Sequence, residues 1–332
     1  MMPNREIYKI LLQPVAGSRF QPTGFPDIGA ALFDRPVGAD GWEQCLVLES
    51  AQSMANHLEA TAWDRTTQAP VRVVAGLPYV RVVDGDGEFV TSSRLEAHRL
   101  ASAFIKDSTL QGRDMKEVIR ERLDLRDDTL MVGRDIARAV FELDPMCLVH
   151  GVFFAESDKV WPGQPKVARA LTSFVEARDV KEVISGGVKR DEVRHSTKDT
   201  GGAKEGYGSV PFHRTEYVAR EIEASFVLDL DQISSYGLPG SAAELLAMLA
   251  RWEIRSLLDH GLRLRTACDL ESVPESSAIE ALPPLDALEE RLGALISESS
   301  GLLGSGQALE VVWDRTKHSK AAKKVADAPE EP

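Results

Sequence analysis

Residues 221–270, EIEASFVLDLDQISSYGLPGSAAELLAMLARWEIRSLLDHGLRLRTACDL, decide how the chain is organised. Ile222, Ala224, Phe226, Leu228 and Leu230 occupy every second position, the period of a strand with one buried face. Gly237-Leu238-Pro239-Gly240 turns the chain, and Ser241 with Glu244 has the spacing of a capping box. The helix opened there points Leu245, Met248, Leu249, Trp252 and Leu257 inward and ends at His260 against Gly261, a residue suited to the C-terminal cap. Leu262 to Leu270 alternates again, with Leu262, Leu264, Thr266, Cys268 and Leu270 on one face and Arg263 and Arg265 on the other. Strand, helix and strand in this order predict a right-handed crossover between parallel neighbours.

Toward the N-terminus, Glu6 to Val15 alternates as another strand, Tyr8, Ile10 and Leu12 on one face, Lys9, Leu11 and Gln13 on the other. It empties into Gly17–Gly29, GSRFQPTGFPDIG, where prolines remove backbone donors and glycines admit positive φ, so no regular helix forms. Backbone N–H groups there can face a phosphate, Arg19 can pair with it and a phenylalanine ring can stack on a base; the competing expectation is a surface turn whose rings pack on the core. After a break at Ala39–Gly41, Gln44 to Trp63 has helical spacing, with Val47, Ala51, Met54, Ala55, Leu58 and Ala62 apolar. Gln52 and Asn56 lie one turn apart on its polar face, beside Ser53.

The middle of the chain predicts a hairpin, Leu77 to Val83 returning through Asp84-Gly85-Asp86-Gly87 to Glu88–Thr91. Ser92–Phe104, Met115–Leu123 and Ile136–Leu143 read as helices, and Cys147–Ala155, continuously apolar, as a buried strand; Lys166–Val175 fits either helix or strand. Arg178–Arg220 is rich in glycine and charge and poor in aliphatic residues after Val188, the composition of a long insertion without structure of its own. Beyond it, Leu285–Ile296 predicts a helix and Leu309–Trp313 a strand, while Thr316–Pro332 predicts a disordered tail. An early strand and helix, a middle hairpin and a late strand-helix-strand fit an α+β, ferredoxin-like βαββαβ core with long insertions.

With 332 residues, 43% of them apolar, the chain can bury a full core, and the absence of long apolar runs predicts no membrane span. The N-terminal segment lacks a secretory pattern, and three scattered cysteines suggest reduced, buried thiols in a cytoplasmic protein without bound metal. A formal net charge of -13 excludes a protein that coats a polyanion with its whole surface, but not one that grips nucleic acid in a local groove.

The strings GSRFQPTGFPDIGAALFD, LVLESAQSMANHLE, GLPYVRV, LEAHRL, GYGSVPFHRTEYVA, FVLDLDQISSYGL and LARWEIRSLLDHGLRLRTACDLES, in this order over Glu6–Ser272, resemble the backbone subunit of CRISPR surveillance complexes (Cascade), a branch of the RAMP superfamily, in its type I-G (formerly I-U) form. The resemblance implies a ferredoxin-like (RRM-like) palm at about 5–65, 77–91 and 221–272, a helical finger insertion at about 92–165 and a thumb-like arm at about 178–215, in one domain spanning 1–315. It implies a non-catalytic protein, without cofactors, whose copies stack in a filament along CRISPR guide RNA. They hold its sugar-phosphate backbone and leave the bases free to pair with target DNA, beside a large subunit and a guide-end capping or processing subunit. The RNA-binding residues it suggests are Gly17, Ser18, Arg19, Phe20, Gln21 and Thr23 of the loop, and Gln52, Ser53 and Asn56 of the following helix. In the arm they are Lys189, Arg190, His195, Lys198, Tyr207, Phe212, His213 and Arg214. The alternative within the superfamily is an endoribonuclease that processes CRISPR precursor RNA, which needs a positioned acid/base pair; His57, His98, His195 and His213 have no spacing that forces two of them together.

Overall fold

The computed structural model describes residues 4–22, 24–25, 29–126, 132–157, 159–189, 210–273, 279–304 and 306–314. The elements that build the site are, in chain order, strands β1 (Arg5–Pro14), β2 (Gly29–Val37) and β3 (Gly41–Glu49), helix α1 (Ala51–Ala60), strands β4 (Leu171–Arg178), β5 (Lys181–Lys189), β6 (Val210–Val218) and β7 (Glu221–Asp229), helix α2 (Gly240–His260), and strands β8 (Leu262–Arg265) and β9 (Cys268–Ser272). The large sheet runs β8-β9-β1-β7-β4-β3-β2 and ends on the short strand Gly24–Phe25. Every pairing in it is antiparallel. The molecule is thus a mixed α+β protein. No described helix is long and apolar enough to cross a membrane.

The alternation in β1 and β7 is realised. Tyr8, Ile10 and Leu12 are buried with Ile222, Ala224, Phe226 and Leu228, and α1 and α2 lie over this face. Enclosing side chains as large as Phe226 and Leu228 stabilises by about 1.5–3 kcal/mol each relative to exposure. Helix α2 begins at Gly240 after Pro239, with no side-chain cap, so the Ser241/Glu244 box does not form; Gly261 closes the helix at φ +81°, as expected.

Several expectations are corrected. The helix expected over 44–63 is only Ala51–Ala60, capped by Ser50, whose hydroxyl accepts from the Ser53 backbone N–H. The residues before it are β3, hairpinned to β2, an element the sequence concealed: Cys45 and Leu46 are both buried and break the period of two, and β4 shifts register opposite the next residues, Val47 to Glu49. The span 262–270 is not one strand but the hairpin β8–β9, folded at Thr266–Ala267. Strands β7 and β9 run parallel, yet are not neighbours, because β1 lies between them. Residues 92–104 are turns, a single 3₁₀ turn and Ala103–Lys106 rather than a helix, and the apolar run 147–155 divides between the helix Met146–His150, ended by Gly151 at φ +80°, and the short strand Val152–Phe153. An apolar run without periodicity does not separate a buried helix from a buried strand.

The hairpin Tyr79–Val83 and Phe89–Ser92 exists, but in a second, five-stranded sheet, where Tyr79–Val83 pairs in parallel with Ala308–Val312. The middle strands of the large sheet are therefore β4 and β7, not the 77–91 hairpin assigned to the palm. Finally, 178–220 is not structureless: β5 and β6 pair in register from Lys181↔Val218 to Lys189↔Val210 as a two-stranded ribbon. Glycines had masked the strand pattern. All three cysteines are free and buried, whereas the tail at 316–332 lies outside the described residues.

Candidate nucleic-acid interface

The Gly17–Gln21 loop is stitched to two other segments. Val15 N–H donates to Asp269 O at 3.0 Å and Gln21 N–H to Ala267 O at 2.7 Å, which ties the loop to the β8–β9 turn. Phe20 exchanges backbone hydrogen bonds with Tyr217 of β6, at 3.0 and 2.8 Å, which ties it to the ribbon. Gly17 makes the entry turn at φ +71°, a conformation that side chains resist.

Phe20 itself is a correction. Its ring is only 1% exposed and belongs to the core, so it anchors the loop and offers no face to a base. Arg19 is also committed: its Nη1 lies 2.9 Å from Glu216 Oε2, which accepts from Ser185 Oγ at 2.9 Å as well. Ser18 is exposed and Gln21 half-buried at the edge of the loop. Thr23 lies outside the described residues, as do Arg190, His195, Lys198 and Tyr207, and Lys189 is described only in its backbone pairing with Val210.

On the ribbon, Phe212, His213 and Arg214 stand opposite Gly187, Gly186 and Ser185. A Cβ on Gly187 would lie 3.2 Å from the Phe212 ring, so the glycine leaves room for that ring to lie across the strand. The Arg214 guanidinium sits 5.3 Å from the centre of the same ring. It makes no ion pair among the described residues, which leaves its charge available.

Loop, ribbon and β8–β9 turn together enclose a cleft of about 600 Å³. Gln21, Pro22 and Gly24 form one wall, His213, Arg214 and Thr215 a second, and Arg265, Thr266 and Ala267 a third, with Glu182 the only carboxylate among the described lining residues. Arg265 is the residue that sequence reasoning missed, although its place on the polar face of its strand was visible. It reaches Glu49 Oε2 at 2.7 Å, and Glu49 in turn faces His57 Nε2 at 3.9 Å. Burial pushes the Glu49 carboxyl up, but hydrogen bonds from His57 and Ser53 and the charge of Arg265 outweigh it and hold it below its ordinary value. Ser53 is thus turned toward Glu49, while Gln52 and Asn56 are exposed on α1.

The large sheet's uncovered face is a different surface. Ile7 is 58% exposed there. Glu176, Glu221, Glu223, Asp229, Asp269 and Glu271 outnumber Arg5, Lys9, Arg178 and Arg263, and the first three of these cations are already paired with acids of this face. An RNA-recognition fold binds its strand on a face of this kind, but here the electrostatics repel a polyanion. The guanidinium of Arg214, the half-buried amide of Gln21 and the glycine backbone of the cleft suit phosphate and sugar contacts that are indifferent to base identity.

A family model described as CRISPR-associated protein GSU0053 matches residues 7–182 of the chain. No curated protein matches it. A chain from a solved structure described as "CRISPR RNA-guided surveillance complex, pre-nicking" is similar over 97% of this chain and 100% of its own length, at 10% identity and a TM-score of 0.35, an overlap too loose to argue from.

Proposed function

Because the chain belongs to the CRISPR-associated GSU0053 family, we propose that it is a backbone subunit of a guide-RNA surveillance complex, binding the guide along its sugar-phosphate spine in the cleft between loop, ribbon and β8–β9 turn. The observation that carries this is the convergence of three sequence-distant segments on one groove lined by His213, Arg214 and Arg265, with Arg265 held by Glu49 and Glu182 the one carboxylate among the described lining residues. In a chain of net charge -13, the guanidinium of Arg214, without an ion pair among the described residues, gives a polyanion a local cation to meet.

The large sheet supports a ferredoxin-like palm. Its β9-β1-β7-β4 section has the strand order of that fold, and α2 leads from β7 to β9 as the fold's second crossover does. The ribbon β5–β6 is the thumb: exposed Ile184 and Val188 give it an apolar surface that a neighbouring copy could cover. On this account the protein does no chemistry, the bases stay free for target DNA, and cutting and processing belong to other subunits.

Purification from a host carrying a CRISPR array tests the proposal. Co-purifying RNA of defined length, with the assembly collapsing on ribonuclease treatment, is the expected result. Protein free of RNA that takes up none on mixing would refute it, and metal-independent cleavage of repeat RNA abolished by His213→Ala would replace it with the endoribonuclease alternative.

A further inference from the structure

A second cleft, of about 320 Å³, is lined by Arg99 and Arg169, which reach α1 at Glu59 and at Ala51 O. Its wall is built by Arg99, whose backbone takes φ +51° and whose guanidinium is buried against Glu59 at 2.6 and 2.8 Å and donates to Gly151 O at 3.2 Å. That pair is neutral and structural. The remaining cations are not balanced. Arg169 donates from Nη1 to Ala51 O at 2.6 Å and has no carboxylate within ion-pair distance among the described residues. Burial, and then the charge of Arg99, hold its guanidinium below its ordinary pKa. Lys166 is exposed, its Nζ 5.8 Å from the centre of the Phe153 ring, and Phe153 is 47% exposed. Among the described residues, no carboxylate lines the cleft.

An open aromatic face beside an ammonium and a half-buried, unbalanced guanidinium matches a nucleotide: a base for the ring, a phosphate for the cations. An acidic peptide would use the cations but leave the ring without a partner. The contacts of α1 connect this cleft to the first. Ser53 and His57 turn toward Glu49 and Arg265, Glu59 turns toward Arg99, and between these flanks the helix exposes Gln52 and Asn56.

We infer that Phe153, Lys166 and Arg169 form a second contact for single-stranded RNA, taking a phosphate and a stacked base from the strand after it crosses the exposed amides of α1. This rests on the first cleft being an RNA site. It extends the path from the ribbon across the helix to a pocket that reads no sequence, since every base has a face to stack.

Fluorescence anisotropy of the full chain with a mixed-sequence single-stranded RNA tests it, comparing the unaltered protein with Phe153→Ala/Lys166→Ala and with Arg214→Ala. Unchanged melting temperatures serve as the control; where alanine disturbs folding, Phe153→Leu/Lys166→Gln replaces it. The inference expects the double change to weaken binding about tenfold and to reduce the salt dependence, and a thiouridine-substituted RNA to cross-link to the Phe153 peptide. Loss with Arg214→Ala but an unchanged double variant overturns the second site and leaves the first standing. Loss with the double variant alone removes the first site and overturns the path inferred from it. RNA binding untouched by either change, or absent throughout, overturns both.

Discussion

The large sheet has two faces built from the same strands, and they differ in what neutralises their charge. On the covered face, under α1 and α2, alternate residues of β1 and β7 are aliphatic or aromatic and solvent is excluded. On the open face carboxylates pair with Arg5, Lys9 and Arg178 and leave an acidic surplus. The cleft at the sheet's edge differs within a short distance, because the β8–β9 turn and the ribbon bring together Arg265, held by Glu49, and Arg214, which has no ion pair among the described residues. A sheet can thus supply a scaffold and an edge for a polyanion while its free face repels one, which is a route to keeping a bound strand on a single track.

The covered face bears the largest expected effect. Phe20→Ala removes a buried ring and should lower stability by about 3–5 kcal/mol in urea denaturation. A variant of full stability that has lost only RNA affinity would mean that the ring faces the cleft after all.

Next comes the buried pair of His150 and Glu253, with Nε2 at 2.9 and 3.1 Å from the two carboxyl oxygens. Burial drives the carboxyl of Glu253 well up and His150 down to about 4, so the folded pair holds one proton, on the carboxyl, which donates to Nε2. Between the ordinary values of 4.5 and 6.5 the unfolded pair also holds one, on the histidine, and this pair contributes no slope. Glu253, raised in the fold, contributes stability that is lost as pH rises through its folded value; below 4.5 the unfolded pair gains a second proton before His150 does, so stability falls with pH. Glu253→Gln should abolish the alkaline decline and bring the onset of acid loss up to about 6.5, read as melting temperature against pH. An unaltered profile would mean that the pair is not protonated as described.

Two smaller changes test the contrast between cleft and open face. Arg214→Ala should weaken RNA binding about tenfold for all sequences and lower the salt slope by about one. Lys9→Ala, on the open face, should leave RNA affinity unchanged and shift stability by no more than about 0.5 kcal/mol. A loss of affinity at Lys9 to match that at Arg214 would put the strand on the open face.

The regular elements were legible where one periodicity ran unbroken, as in β1, β7 and α2. They were hidden where packing on both sides of a strand erased it, as in β3, or where glycines replaced side chains, as at Gly186 and Gly187 in β5. In the candidate site, the loop could be named from residue types, whereas His213 and Arg214 came from the family resemblance. Arg265 could be named from neither, because its role depends on the β8–β9 turn closing over the loop, and Phe20 was misassigned because exposure is a property of neighbours.

By itself, then, the order of residues determined which segments alternate, which carry glycine and cations together, and that the overall charge leaves only a local groove for a polyanion. Local periodicity and composition are enough for that, since each depends on residues adjacent in the chain. Only the tertiary structure decided that Gln21, Arg214 and Arg265 share a cleft, that Arg19 is held by Glu216, and that the sheet's free face is acidic. These facts depend on strand order and register, which juxtapose side chains hundreds of positions apart.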